Sequence, residues 1–240
     1  MVKILSAIGL LASMFGGGDE ELDKAAAKAA AMENYTYKVT TKIEGAGKGA
    51  TGDKPTTVQI VKDQPWHITA GDTEAWRSGD TVVTKTDEGW KKLEAPAKPE
   101  KGTKPDTRLI ALQGLKTLKS AGDMLKEVGK KIKEVKREDS DGGKCFSGEL
   151  TPDAAKEFGS VNLGKGGGGG GKGPVFEFTG TIKIYVNGSG DVTKVEINTE
   201  AKGKIKDRDM DVKKSQTIEL SDAGSTKAEC PEDAKKALSN

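Results

Sequence analysis

The sequence predicts an α+β protein built on a curved antiparallel sheet with helices packed over its concave face. Three observations carry this. Strand-length runs alternate apolar and polar residues, short Gly- and Asp-containing turns separate them, and helical segments fall in blocks between runs of strands instead of following each strand. Parallel βαβ units would need the opposite order, one helix per strand.

Composition agrees. Of the 240 residues, 34% are hydrophobic, 5% aromatic and 32% charged. That balance suits elements with one buried and one wet face better than a sheet covered on both sides. Lys and Arg number 39 against 37 Asp and Glu, a formal net charge of +2. A nucleic-acid partner normally demands a clear basic excess, so that class is disfavoured.

In chain order, the alanine-rich run from Asp19 to Glu33 reads as a helix with Asp19 at its start. Tyr35, Tyr37, Val39, Thr41 and Ile43 then alternate with polar residues, a half-buried strand. Val58 and Ile60 mark a second strand. Pro65 opens a third, with Trp66, Ile68 and Ala70 on one face. Strands containing Trp76, Thr81–Thr86 and Trp90–Leu93 follow at close spacing, giving a meander of about six strands. The proline- and lysine-rich stretch 95–105 is a loop. Asp106 is placed as the cap of a helix with a stripe of Leu109, Leu112, Leu115 and Leu118, and Asp123 as the cap of the next, with Leu125 and Val128 inward. Ile132–Arg137 and Lys144–Leu150 read as a strand pair, and Thr151-Pro152-Asp153 opens a helix ending near Gly159. The low-complexity run 164–173 is a glycine loop insertion. Three long strands follow, carrying Phe176 to Val186, then Val195 and Ile197, then Met210, Val212, Ile218 and Leu220. Asn187-Gly188-Ser189-Gly190 marks the first turn between them. Pro231–Leu238 is a terminal helix with proline in its first turn.

Several motifs resemble chemical sites and lack their context. Gly166-x4-Gly171-Lys172 is followed by Gly173 and Pro174, not by the Ser or Thr and helix that a phosphate-binding loop needs. Gly47-x-Gly49-x-x-Gly52 leads into a strand, where a dinucleotide site requires a helix. His67, the only histidine, falls on the face opposite Trp66 and Ile68 and reads as an exposed strand residue. Asp207, Asp209 and Asp211 share one strand face and could hold a hard cation such as Ca²⁺, but carboxylates at that period are spaced roughly 7 Å apart, wide for one ion. They read as a solvated face. Asn34-Tyr35-Thr36 and Asn187-Gly188-Ser189 match glycosylation sequons. No catalytic constellation, metal site or cofactor motif is present, so the expectation is a protein that is not an enzyme and takes no cofactor.

The first 18 residues have the form of a signal-peptide leader: Lys3, twelve apolar or small residues from Ile4 to Phe15, then Gly16-Gly17-Gly18 and an acidic cluster. That core is too short to span a bilayer. The expectation is an exported chain, in the periplasm or cell envelope, membrane-proximal but not transmembrane once the leader is removed. Residues 19–240 would then form a single domain. Cys145 and Cys230 fit either one disulfide in an oxidising compartment or two unpaired core residues.

The alanine-rich first helix leading into Tyr35-Thr36-Tyr37-Lys38-Val39 resembles the LolA and LppX/LprG superfamily of bacterial envelope lipoprotein carriers. So do Met124–Val128, the phrase Gly148-Glu149-Leu150-Thr151-Pro152-Asp153-Ala154-Ala155, and the closing Pro231–Leu238. The resemblance covers most of residues 19–240. It implies a half-barrel of antiparallel strands capped by helices that shields the acyl chain of a lipid or lipoprotein, with an envelope protein as a further partner. The chain has no cysteine near its leader to carry a lipid anchor, which departs from the anchored LppX/LprG branch and favours a soluble form. On this reading Trp66, Ile68, Trp76, Trp90, Phe178, Ile182 and Ile184 line the cavity, with Leu112 and Leu115 on a helical lid. The alternative is a secreted structural or interaction protein with a filled core.

Overall fold

The computed structural model describes residues 19–45, 54–94, 112, 114–129, 131–140, 142–160, 176–205 and 208–239. The leader, the glycine motif at 47–52, the 95–105 loop, the start of the leucine-stripe helix, the 164–173 insertion and Asp207 lie outside the described residues.

The element order is α1 (Glu20–Ala30), β1 (Tyr35–Glu44), β2 (Thr56–Ile60), β3 (Trp66–Ala70), β4 (Thr73–Ser78), β5 (Thr81–Thr86) and β6 (Gly89–Lys92). A 3-10 turn (Gly114–Thr117) and α2 (Ala121–Gly129) follow. Next come β7 (Lys136–Ser140), β8 (Gly143–Glu149), α3 (Pro152–Gly159), β9 (Phe176–Asn187), β10 (Val192–Ile205), β11 (Arg208–Ser221) and α4 (Glu232–Ser239). The strands form an open antiparallel sheet in the order β6-β5-β4-β3-β2-β1-β11-β10-β9-β8-β7. This is the α+β class that the alternation predicts.

Local chemistry explains the boundaries. Asp19 Oδ1 accepts from the backbone N–H groups of Glu21 and Leu22, at 3.0 and 3.2 Å, and so caps α1. Thr151 caps α3 in the same way, with Pro152 in the first turn where its missing N–H costs nothing. At the β9–β10 hairpin, Asn187 Oδ1 accepts from Ser189 and Asp191 N–H groups, both at 2.9 Å, and Gly190 takes a positive φ of 79°.

Three boundaries differ from the sequence reading. Helix α2 begins at Ala121, so Asp123 sits in its first turn instead of capping it. Strand β7 starts at Lys136, while Ile132 makes only an isolated bridge to Leu150. In the leucine-stripe segment Leu112 is helical, but Gly114–Thr117 forms a 3-10 turn, with Leu115 buried as expected.

Contacts divide the chain into two compact units. The first comprises Met1–Ala31, Thr40–Asp53 and Ala121–Glu219. There, Phe146, Ile184, Val195 and Ile218 are register partners across four strands, and all are buried. Helices α1 and α2 approach so closely that a Cβ on Gly122 would lie 2.5 Å from the Ala30 Cα. Ion pairs from Glu21 to Lys144 and Arg137, and from Lys28 to Asp191, bind α1 to the strands.

The second unit comprises Met32–Val39, Lys54–Ser120 and Leu220–Asn240. Tyr37, Val58, Ile68 and Ala75 are register partners on one face, and none is measurably exposed. Tyr37 Oη donates to the Lys119 carbonyl at 3.0 Å, tying the segment after the 3-10 turn to the sheet.

Cys145 and Cys230 are free, buried thiols. Cys145 sits in β8 of the first unit, and Cys230 packs with Trp76, Val83 and Ala234 in the second. Both pack as small core residues, the second of the two readings the sequence allows.

Candidate functional site

Two local arrangements bear on function, one in each unit. In the second unit, strand register sorts the aromatic residues onto opposite faces. Trp66 pairs with Arg77 and Ile68 with Ala75, whereas Trp76 pairs with His67. Trp66 and Ile68 therefore share one face with Leu115. The Arg77 guanidinium lies 4.9 Å from the centre of the Trp66 ring and donates to the carbonyls of Leu115 and Leu118.

Trp76 and Trp90 occupy the other face beneath α4, packed with Val83, Cys230 and Ala234. They do not share a lining with Trp66 and Ile68, because residues one apart along a strand point opposite ways. Trp76 Nε1 is buried without a hydrogen-bond partner among the described residues. Leu112 is half-buried.

His67 departs from its sequence reading. It is half-buried, its ring lies 4.6 Å from that of Trp76, and its nitrogens approach Gln59 Oε1 (2.7 Å) and Glu74 Oε1 (3.3 Å). Among the described residues no group of three His, Cys, Asp or Glu side chains is placed to hold a metal ion. Asp209 and Asp211 are exposed, as a solvated face requires.

The first unit holds a groove of about 530 Å³ where β8 leaves the sheet and α3 begins. That volume lies within the range of small-ligand sites, roughly 300–1,000 Å³. Leu150, Pro152 and Phe178 give it an apolar wall; Thr181, Asn198 and Ser215, register partners across three strands, give it a polar one. Gly180 also lines it and is closely packed: a Cβ there would meet the Asn198 carbonyl oxygen and Leu150 Cδ1 at 2.9 Å each.

Charges around the groove are matched. Lys133 faces Glu149 at 3.5 Å, and Lys213 faces Glu200 at 4.0 Å. A hydrogen bond from Lys202, with Lys213 adding its charge, holds Glu200 below the usual carboxylate range.

Of the residues anticipated from sequence in this unit, Phe178 lines the groove. Ile182 and Ile184 are 1% and 0% exposed and lie within the packed core. Sequence reasoning missed Leu150 and Pro152, which it treated only as the end of a strand and the start of a helix. It also passed over Lys214, which stands opposite Thr199 and donates to the Phe158 carbonyl at 2.7 Å. Its signal was present. Met210, Val212, Ile218 and Leu220 define the even-numbered face of β11 as apolar, and 214 is even.

The fold is an open antiparallel sheet with helices α1 to α4 among the described residues. No family model matches the chain, and no curated protein does. Among solved structures it is similar to LprF from Mycobacterium bovis, at 13% identity and a TM-score of 0.44, over 88% of this chain and 95% of that one. It is also similar to the lipoprotein LppX of Mycobacterium tuberculosis, at 10% identity and a TM-score of 0.46, over 87% and 95%. A LolA superfamily protein from Nitrosomonas europaea matches at 10% identity and a TM-score of 0.31, over 91% and 95%. No described helix is long and apolar enough to cross a membrane.

Proposed function

We propose that this chain is an exported, non-catalytic binding protein of the cell envelope that shelters an acyl chain or another apolar ligand. The observation that carries the reading is the groove at the β8–α3 junction, with Leu150, Pro152 and Phe178 as its apolar wall. Each buried CH₂ contributes about 0.8 kcal/mol, so a chain laid against that wall binds without any catalytic or metal group. A lipid or lipoprotein is the partner this chemistry fits, and an envelope protein that delivers or receives it is the second. Titration with a fatty acid bearing a polarity-sensitive fluorophore tests the reading. A saturable rise in emission supports it; emission unchanged from buffer retires it.

A second reading has its own observation. Ile68, Ile182 and Ile184 are fully packed, which favours a secreted structural or interaction protein with a filled core. A dye that brightens only in apolar cavities stays dark in that case.

A further inference from the structure

We propose that the segment from Lys227 to Ser239, which includes α4, is a strap that lifts from the sheet while the rest of its unit stays folded. Lifting it bares Trp76, Val83 and Trp90. The device is independent of the groove and of the acyl-binding reading.

Helix α4 lies against β4, β5 and β6. The side chains that hold it there are mostly small. Ala234 is fully buried, Ala228, Ala237 and Leu238 are partly buried, and Cys230 packs with Trp76 and Val83. Apolar stabilisation scales with the area removed from water, and three alanines and a cysteine remove little.

Polar contacts do not reinforce that hold. Among the described residues the ion pairs of α4 stay within the helix, Lys235 to Glu232 at 2.7 Å and Lys236 to Asp233 at 3.7 Å. Ser239 Oγ donates to the Lys235 carbonyl at 3.0 Å, again inside α4. The bonds that tie this part of the chain to the start of β1 come earlier. Gly224 N–H donates to the Asn34 carbonyl at 2.8 Å, and the Thr36 and Thr226 hydroxyls lie 2.9 Å apart. Thr226 is thus the anchor, and Lys227–Glu229, in neither helix nor strand, form the hinge.

Trp76 favours opening. It is 2% exposed, and its Nε1–H meets no acceptor among the described residues. A buried donor without a partner is unfavourable, and water reaches it once the strap is off. A helix of 8 residues is not stable alone in water, so α4 melts as it leaves and the strap moves as one cooperative piece. The β4–β5 ladder, from Ala75–Thr84 to Ser78–Thr81, does not depend on it.

The two thiols report the motion. Burial raises the pKa of both, so neither is reactive while covered. Cys145 is 8% exposed and Cys230 is 5% exposed, so static burial alone gives Cys230 no advantage.

The test treats the full wild-type chain with N-ethylmaleimide in native buffer, locates the adducts by peptide mass spectrometry, and follows amide hydrogen exchange in parallel. Cys230 is expected to react at least tenfold faster than Cys145, and α4 amides to exchange at least tenfold faster than those paired between β4 and β5. Leu238→Ala should speed Cys230 labelling further and leave Cys145 unchanged. Three results overturn the inference. Equal labelling of the two thiols means that the strap stays down. Fast Cys230 labelling with β4–β5 amides exchanging in step with α4 means that the whole unit opens. Fast α4 exchange with slow Cys230 labelling means that the helix frays in place.

Discussion

The imidazole of His67 lies on the indole of Trp76, with ring centroids 4.6 Å apart and planes 27° from parallel. The two are register partners on adjacent strands, so the stack fastens β3 to β4 on the face beneath α4. Aromatic pairs of this kind contribute about 0.5–1.5 kcal/mol beyond area burial. His67→Ala should therefore lower unfolding free energy by about 1 kcal/mol in urea titrations. A variant as stable as wild type would show that the stack contributes nothing.

Ile184 separates a packed core from a cavity wall. It is 0% exposed, between Phe146 and Val195 in the register. Ile184→Ala should cost about 2–5 kcal/mol, read from the shift in the denaturation midpoint. A loss well under that range would mean the side chain borders empty space.

Gly122 sets the spacing of α1 and α2. Alanine there gains up to about 1 kcal/mol of helix propensity, but its Cβ would press on the Ala30 backbone at 2.5 Å. Overpacking of this kind costs about 1–3 kcal/mol and should win. Gly122→Ala is expected to destabilise, with faster amide exchange in both helices; a stabilised variant would contradict the close approach.

Tyr37 should give the fold an alkaline limit. Burial, with a smaller contribution from Tyr35, pushes its phenol far above the ordinary tyrosine range. Below pH 10 the phenol is protonated whether folded or unfolded, and its contribution is fully present. Above the unfolded value of about 10 the unfolded chain loses the proton first, so stability falls as pH rises. Lys214, lowered by burial, acts with the opposite sign at alkaline pH because its charged form is the disfavoured one. Comparing wild type with Tyr37→Phe cancels that contribution. The difference between them should shrink from pH 9 to pH 11, and a constant difference would contradict the assignment.

Much of the fold was legible because it rests on local signals. Alternation located the strands, Asp19 and Thr151 announced their caps, and Asn187 to Gly190 announced a turn. The face assignments within a strand were also legible: Ile182 and Ile184 are buried and Asp209 and Asp211 are exposed. The site was harder because grouping residues across strands depends on register, which non-local pairing fixes. Nothing local to Trp66 and Trp76 says that their strands place them back to back. Nor does Leu150 reveal that the chain leaves the sheet there and opens a groove beneath it. Lys214 was readable from the parity of β11, but a lone lysine in an apolar pattern carries meaning only once its neighbours on β10 and α3 are known.

Native mass spectrometry of the protein purified without detergent most directly tests the claim that it carries an apolar ligand. The account predicts an adduct with the mass of a lipid that disappears on organic extraction and returns when palmitate is added. The bare polypeptide mass alone, before and after that addition, would contradict it.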